Sequence, residues 1–307
     1  MVRPSSCTRW GSSPQRPDDR PVRAFLRDLA PARELGYDLP SEPLVADELL
    51  ALEPALSPQA RSGLYLADHW HVSSSELAVA LADLLRRDGV AIEEGIEVSD
   101  IVIEGSQARA VRTPIGTVGA DAVVIAAGAW SVRIAKAVGM QLPIVAGKGY
   151  SFLVRPRRVP THAVMLLEPH VGCSPFGDLM RVAGTMEFSG LDSPINSRRV
   201  DSIKRLARPL LDWHEGSETE PWAGLRPVAP DGLPVVGRLA KFENVFVASG
   251  YSNARYDARP TRGRRARSLD RVQHTIRGAD TFRPRTLRAR CDHTTPDGRI
   301  ADEMSGP

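Results

Sequence analysis

Apolar side chains recur at helical spacing in four stretches of the chain. In VRAFLRDLAPAREL, residues 22–35, they follow a helical period that Pro31 should bend or divide. ADELLALEPAL predicts a short helix over 46–56. Ser73-x-x-Glu76 is a capping box in front of a third helix that ends at Gly89. A fourth helix is predicted near 196–212. Between these, the pattern shortens. Gly63 to Leu66 reads as a short strand, and 90–127 as successive strands with turns at Gly105-Ser106 and Ile115-Gly116, a small antiparallel meander. Val123 to Gly139 reads as a buried strand, a glycine turn and a helix. From about 144 to 250 apolar strands alternate with loops, and no unit repeats. This mixture predicts an α/β or mixed α+β enzyme fold with a separate sheet-built region. Residues 1–22 are rich in Pro, Ser and Arg without periodicity, so the pattern predicts disorder there.

Composition changes this picture at one end. The chain of 307 residues is 42% hydrophobic, enough for a substantial core. Its net charge of +3 conceals an asymmetry: residues 254–307 hold thirteen arginines against seven acids, so residues 1–253 are net negative. The tail has only scattered apolar residues and reads as disordered. Any nucleic-acid binding would rest on that tail alone, and no stacking aromatics interleave its arginines. There is no apolar run long enough to cross a membrane and no secretory pattern, which points to the cytoplasm. Cys7, Cys173 and Cys291 stand singly, suggesting neither a disulfide framework nor a metal cluster.

The most informative stretch is PWAGLRPVAPDGLPVVGRLAKFENVFVASGYSN, residues 221–253. It sets Arg226 between short strands with turns expected at Gly224, Gly232 and Gly237, and ends a buried strand at Gly250-Tyr251-Ser252. A guanidinium fork there suits a substrate carboxylate, or pairs structurally with an acid such as Asp231. Gly128 ends a strand and opens a helix, a turn that admits a ligand or simply reverses the chain. Lys148 opens a long strand and is expected to face water, with a flavin or phosphate as the alternative. His69 and His71 flank Trp70, but no third residue completes a metal site. No P-loop, G-x-S-x-G, H-E-x-x-H or G-x-G-x-x-G occurs.

These segments together resemble the FAD-dependent D-amino acid oxidase and dehydrogenase family, which includes glycine oxidase and sarcosine oxidase. The likeness is carried by GLYLADHWHVSSSELAVALADLLRRDGVAIEEGIEV, DAVVIAAGAWSVRIAKAVGMQLPIVAGKGYSFLV, DLMRVAGTMEFSG and WAGLRPVAPDGLPVVGRLAKFENVFVASGYSN, over about residues 24–253. The resemblance implies FAD as cofactor and a small amine or amino acid as substrate. It implies that Arg226 holds the substrate carboxylate, and that Met186, His170 and Tyr251 line the substrate pocket. Val98 would meet the adenine, Ala127 and Gly128 the pyrophosphate and ribose, and Gly250, Tyr251 and Ser252 the isoalloxazine.

Two features depart from the family. Its opening strand, GxGxxG turn and helix, with the acidic residue that binds the ribose, are missing. After Asn253 an arginine-rich segment replaces the apolar helix expected to follow the glycine-aromatic turn. The departures read as translation out of frame or a mis-called gene start. The expected fold is therefore an incomplete FAD/NAD(P)-binding Rossmann-like domain plus a mixed-sheet substrate domain of the D-amino acid oxidase type. Residues 23–253 form the oxidoreductase, flanked by disordered 1–22 and 254–307. The expected reaction is oxidation of a C–N bond by hydride transfer to flavin. The alternative is a non-catalytic remnant unable to hold FAD.

Overall fold

The computed structural model describes residues 3–10, 19–34, 36–192 and 194–251. The arginine-rich tail and Ser252 lie outside the described residues. In chain order the elements are β1 Arg3–Trp10, α1 Arg20–Leu29, β2 Leu44–Val45, α2 Ala46–Leu52, β3 Ala60–His71 and α3 Ser74–Arg87. Then come β4 Asp100–Glu104, β5 Gln107–Thr113, β6 Gly116–Gly119, β7 Val123–Ile125, α4 Ser131–Ala137, β8 Val145–Val154 and β9 Ala163–Leu166. The last are β10 Val171–Phe176, β11 Leu179–Glu187, α5 Ser197–Ala207, β12 Trp222–Val228, β13 Val235–Arg238 and β14 Val245–Ser249.

Several boundaries follow directly from local chemistry. Pro31 falls within a 3-10 turn, Ala30–Arg33, that ends the first helix. Ser73 Oγ accepts the backbone N–H of Glu76 at the start of α3, and Gly89 at φ +83 closes its far end. Other expectations need correction. Residues 3–10 are not without structure: β1 pairs antiparallel with β3 and parallel with β9. A strand with neighbours on both sides is held through its backbone hydrogen bonds, which apolar periodicity does not report. β3 runs over twelve residues rather than four, while 90–99 contains no strand before its last residues enter the meander β4–β5–β6.

The main sheet has eight strands in the order β12-β8-β11-β10-β9-β1-β3-β2. One face of its β8–β11–β10–β9 part is covered by α5 and the segment after it. Tyr150, Phe152 and Val154 of β8, Met180 and Val182 of β11, and Val171 and Cys173 of β10 pack there against Val200, Ile203, Leu210, Leu211 and Trp213. Full burial pushes the Cys173 thiol up to about 12, so it behaves as a small apolar side chain. At the edge of this core, buried Glu53 accepts the backbone N–H of His162 at 2.8 Å and that of Ala55 at 3.2 Å, and its Oε2 lies 3.1 Å from His162 Nδ1. It thereby ties the end of α2 to the entry of β9. We expect Glu53→Ala to cost about 3 kcal/mol, because it orphans several buried donors at once. A urea titration showing less than about 1 kcal/mol of loss would contradict that assignment.

A second core joins the remaining two sheets. In the sheet β13-β14-β7, strands β7 and β14 run parallel, and the meander closes over them with α4 through Ile101, Ala108, Ile125, Ala135, Val245 and Val247. Asn244 clamps the two sheets. Its side chain accepts from Ala108 N at 2.7 Å and donates to Ala108 O and Asp121 O at 2.8 and 2.7 Å.

Candidate active site on the glycine face of the main sheet

Arg226 lies inside β12 rather than between strands, paired with Gly147 of β8. Directly opposed residues of an antiparallel pair project to the same side. Gly147, Gly149, Gly224, Arg226 and Val228 therefore share one face, while Lys148 and Tyr150 point to the α5 side. On the shared face the glycines make a floor. A Cβ on Gly149 would stand 2.5 Å from Arg226 Nη1 and 3.2 Å from its Cζ. The guanidinium thus occupies the space that a side chain at Gly149 of the neighbouring strand would need. Gly224, the cross-strand partner of Gly149, is covered by the Trp222 ring, so the guanidinium and the indole rest on two paired glycines. Gly147 is covered by the Met186 sulfur and by Val228. Of the three glycines only Gly224 had been singled out, and then as a turn. The alternation Gly147-Lys148-Gly149 within an apolar strand was the available signal, since period two puts both glycines on one face.

Met186 reaches this face through a bulge. Gly184 of β11 pairs with Tyr150, and the next pair is Glu187 with Lys148, so three steps along β11 match two along β8. Without the extra residue Met186 would stand opposite Lys148, on the α5 side. Thr185 takes φ +58 at the bulge.

The flavin-related residues gather nearby. Ala127 and Gly128 follow β7, and Gly250 and Tyr251 follow β14; because the two strands are parallel neighbours, both turns open at their carboxyl ends. Ser249 Oγ donates to the Gly128 carbonyl at 2.8 Å and joins the two turns. Gly250 has φ +77, and a Cβ would stand 3.1 Å from Val235 Cγ2, so backbone conformation and space both require glycine. Tyr251 forms a bridge with Val228 and is 46% exposed. This links the paired turns to the end of β12 that carries Arg226. The turn Gly128–Trp130 also packs against β12.

The other candidates fall elsewhere. His170 sits at φ +51 in the β9–β10 turn, exposed, three strands across the sheet from β12. Val98 is half-buried in the segment just ahead of β4, where the meander begins. Gly232 turns at φ +75 as expected, whereas Gly224 and Gly237 lie inside strands. Asp231 accepts the backbone N–H of Leu233 and closes that same turn. His69 packs edge-on against Tyr37, with ring centroids 6.4 Å apart.

Lys148 corrects the expectation of a solvated lysine: it is 1% exposed. Its Nζ lies 3.3 Å from Glu187 Oε1 and donates to Pro194 O at 3.3 Å. Tyr150 donates to Glu187 Oε2 at 3.0 Å. Burial would push the Lys148 ammonium down, but hydrogen bonds with Glu187 and Tyr150 hold it above its ordinary value. Burial would likewise push Glu187 up, and hydrogen bonds with Tyr150, Ser189 and Lys148 hold it below the usual carboxylate range. Both are therefore charged at neutral pH.

At the first of the two glycine turns the backbone is open. A Cβ on Gly128, at φ +55, would meet nothing within 4 Å, leaving the backbone open to a ligand. Just beyond, Ser131 Oγ is buried and has no hydrogen-bond partner among the described residues. Among the described residues no glycine-rich strand–turn–helix serves the pyrophosphate, in keeping with the absence of GxGxxG from the sequence. No group of three potential metal ligands occurs among the described residues, and no helix there is long and apolar enough to cross a membrane.

Comparison with known proteins bears on the fold and the family. D-amino acid dehydrogenase of Vibrio cholerae serotype O1 (strain M66-2) is 30% identical over 242 residues, covering 76% of this chain and 56% of the relative. D-amino acid dehydrogenase of Rhizobium rhizogenes (strain K84) is 34% identical over 220 residues, covering 69% and 52%. The chain thus spans about half the length of these curated relatives. Glycine oxidase from Geobacillus kaustophilus superimposes with a TM-score of 0.71 at 26% identity, over 82% of this chain and 66% of that one. L-Proline dehydrogenase from P. horikoshii shares the fold with the same TM-score at 19% identity, over 82% of this chain and 68% of that one. The family described as FAD dependent oxidoreductase matches residues 7–260, so that residues 7–10, the second half of β1, lie within the match although disorder was expected there. The chain belongs to that family, the FAD-dependent oxidoreductases of the D-amino acid oxidase type.

Proposed function

We propose that the chain serves an FAD-dependent oxidation of the C–N bond of an amino acid or secondary amine, resembling that of D-amino acid dehydrogenases. The observation that carries this reading is the Arg226 guanidinium laid against Gly149, beside Met186 and Val228 and next to the paired glycine turns. The planar fork receives the substrate carboxylate through two parallel N–H···O bonds. Met186 and Val228 supply apolar contact next to it, and Trp222 forms a wall on the other side. Gly250 and Tyr251 would lie against the isoalloxazine of FAD, and Ala127 and Gly128 would meet its pyrophosphate and ribose. FAD, when bound, takes the two electrons of the oxidation as a hydride. The protein's share is placement: the carboxylate is fixed on Arg226 so that the carbon bearing nitrogen points toward the two glycine turns. No acid–base residue is needed for that role, which suits a face built from glycine, Arg, Met, Val and Trp.

The floor itself is testable. Gly149 lies in regular strand, and the atom nearest a new Cβ is the tip of a flexible side chain. We expect Gly149→Ala to fold normally and to push the Arg226 head off the floor, weakening binding of D-alanine about tenfold, or about 1.4 kcal/mol. Calorimetric titration giving the wild-type affinity would show that the carboxylate is held elsewhere.

A further inference from the structure

Thr185 is an expensive residue in its place. It is β-branched yet adopts φ +58, and its Oγ1 is buried without a hydrogen-bond partner among the described residues. Backbone strain of this kind persists only where surrounding contacts enforce it. The contacts at hand converge on the next residue but one. Glu187 meets Lys148 and Tyr150 of β8, the Asn196 side chain at 3.4 Å, and Arg199 Nε at 3.7 Å, so it binds the bulge to both β8 and the start of α5. Lys148 is in turn held by the Pro194 carbonyl of the connecting loop.

We propose that Lys148 and Glu187 are positioning residues whose buried ion pair holds the β11 bulge in register and so turns Met186 onto the Arg226 face. A slip of one residue would return Met186 to the α5 side and leave Gly147 covered by Val228 without Met186. Met186 touches the proposed site directly; Lys148 and Glu187 act on it from the opposite face of the sheet. That this face receives substrate rests on the functional reading above, but the register effect does not.

The test uses the full chain with ¹³C-methyl methionine, needing neither flavin nor substrate. Failure of the functional reading would therefore leave its outcome unchanged. The Met186 signal is assigned by its loss in Met186→Leu, and Met180, buried on the same strand, is the internal control. In Glu187→Gln and in Lys148→Leu the Met186 signal is expected to shift or double while the Met180 signal stays. Adding Thr185→Gly, which removes the cost of positive φ, should restore the wild-type Met186 position in the Glu187→Gln background. A salt bridge that merely stabilised the fold would not be replaced by glycine at the bulge. A folded Glu187→Gln protein with an unmoved Met186 signal overturns the proposal. If Glu187→Gln does not fold, a folded Thr185→Gly/Glu187→Gln protein with the wild-type Met186 signal supports it, and an unfolded one overturns it.

Discussion

Trp213→Ala is expected to remove about 3–5 kcal/mol of stability, the range for truncating a large buried aromatic side chain. Trp213 has no exposed surface and packs in the core beneath the main sheet with Leu210 and Leu211. Its indole N–H donates to Glu218 Oε1 at 2.9 Å, and its backbone bridges to Pro156 just past β8. Alanine would leave a cavity at the junction of α5, β8 and the segment leading into β12. A fold of this size should lose roughly 10 °C in Tm. Trp222→Ala makes the control, because that ring lies on the open glycine face and is 67% exposed. Equal losses at the two tryptophans would show that the core has been assigned to the wrong face of the sheet.

Arg226→Lys is expected to cost about 2–4 kcal/mol in kcat/KM of the flavin-loaded protein, with stability nearly unchanged. Lysine keeps the charge but offers no planar pair of donors, and its shorter head cannot lie across Gly149 in the same way. Arg226 is exposed on the open face, so its replacement should shift stability by no more than about 0.5 kcal/mol. A variant that folds, retains activity and shows an unchanged KM would remove Arg226 from substrate binding.

Local chemistry made much of the fold readable. The Ser73 cap, the strand–turn–helix from Val123 and the meander turns are each fixed by a few neighbouring residues, and they stand where the pattern placed them. The Arg226 segment stands out in the sequence because its motif is local. What escaped the sequence depends on distant pairing. β1 has an unremarkable composition and is a strand because β9 and β3 offer it backbone partners on either side. Lys148 seemed solvated because its counter-ion, Glu187, is far along the chain and the two meet only when β8 and β11 align. The orientation of Met186 depends on one extra residue in a strand, which no hydrophobic pattern records. Asn244 reads as a turn residue, although its side chain joins two sheets.

The most direct test of the proposed activity is anaerobic reduction of FAD by a D-amino acid in the presence of the purified chain, followed by loss of the visible flavin band. The account predicts that D-alanine bleaches FAD with the wild-type chain, that the corresponding amine lacking the carboxylate does so far more slowly, and that Arg226→Ala removes the difference between them. No bleaching with the wild-type chain, or equal rates for the amino acid and the amine, would contradict it.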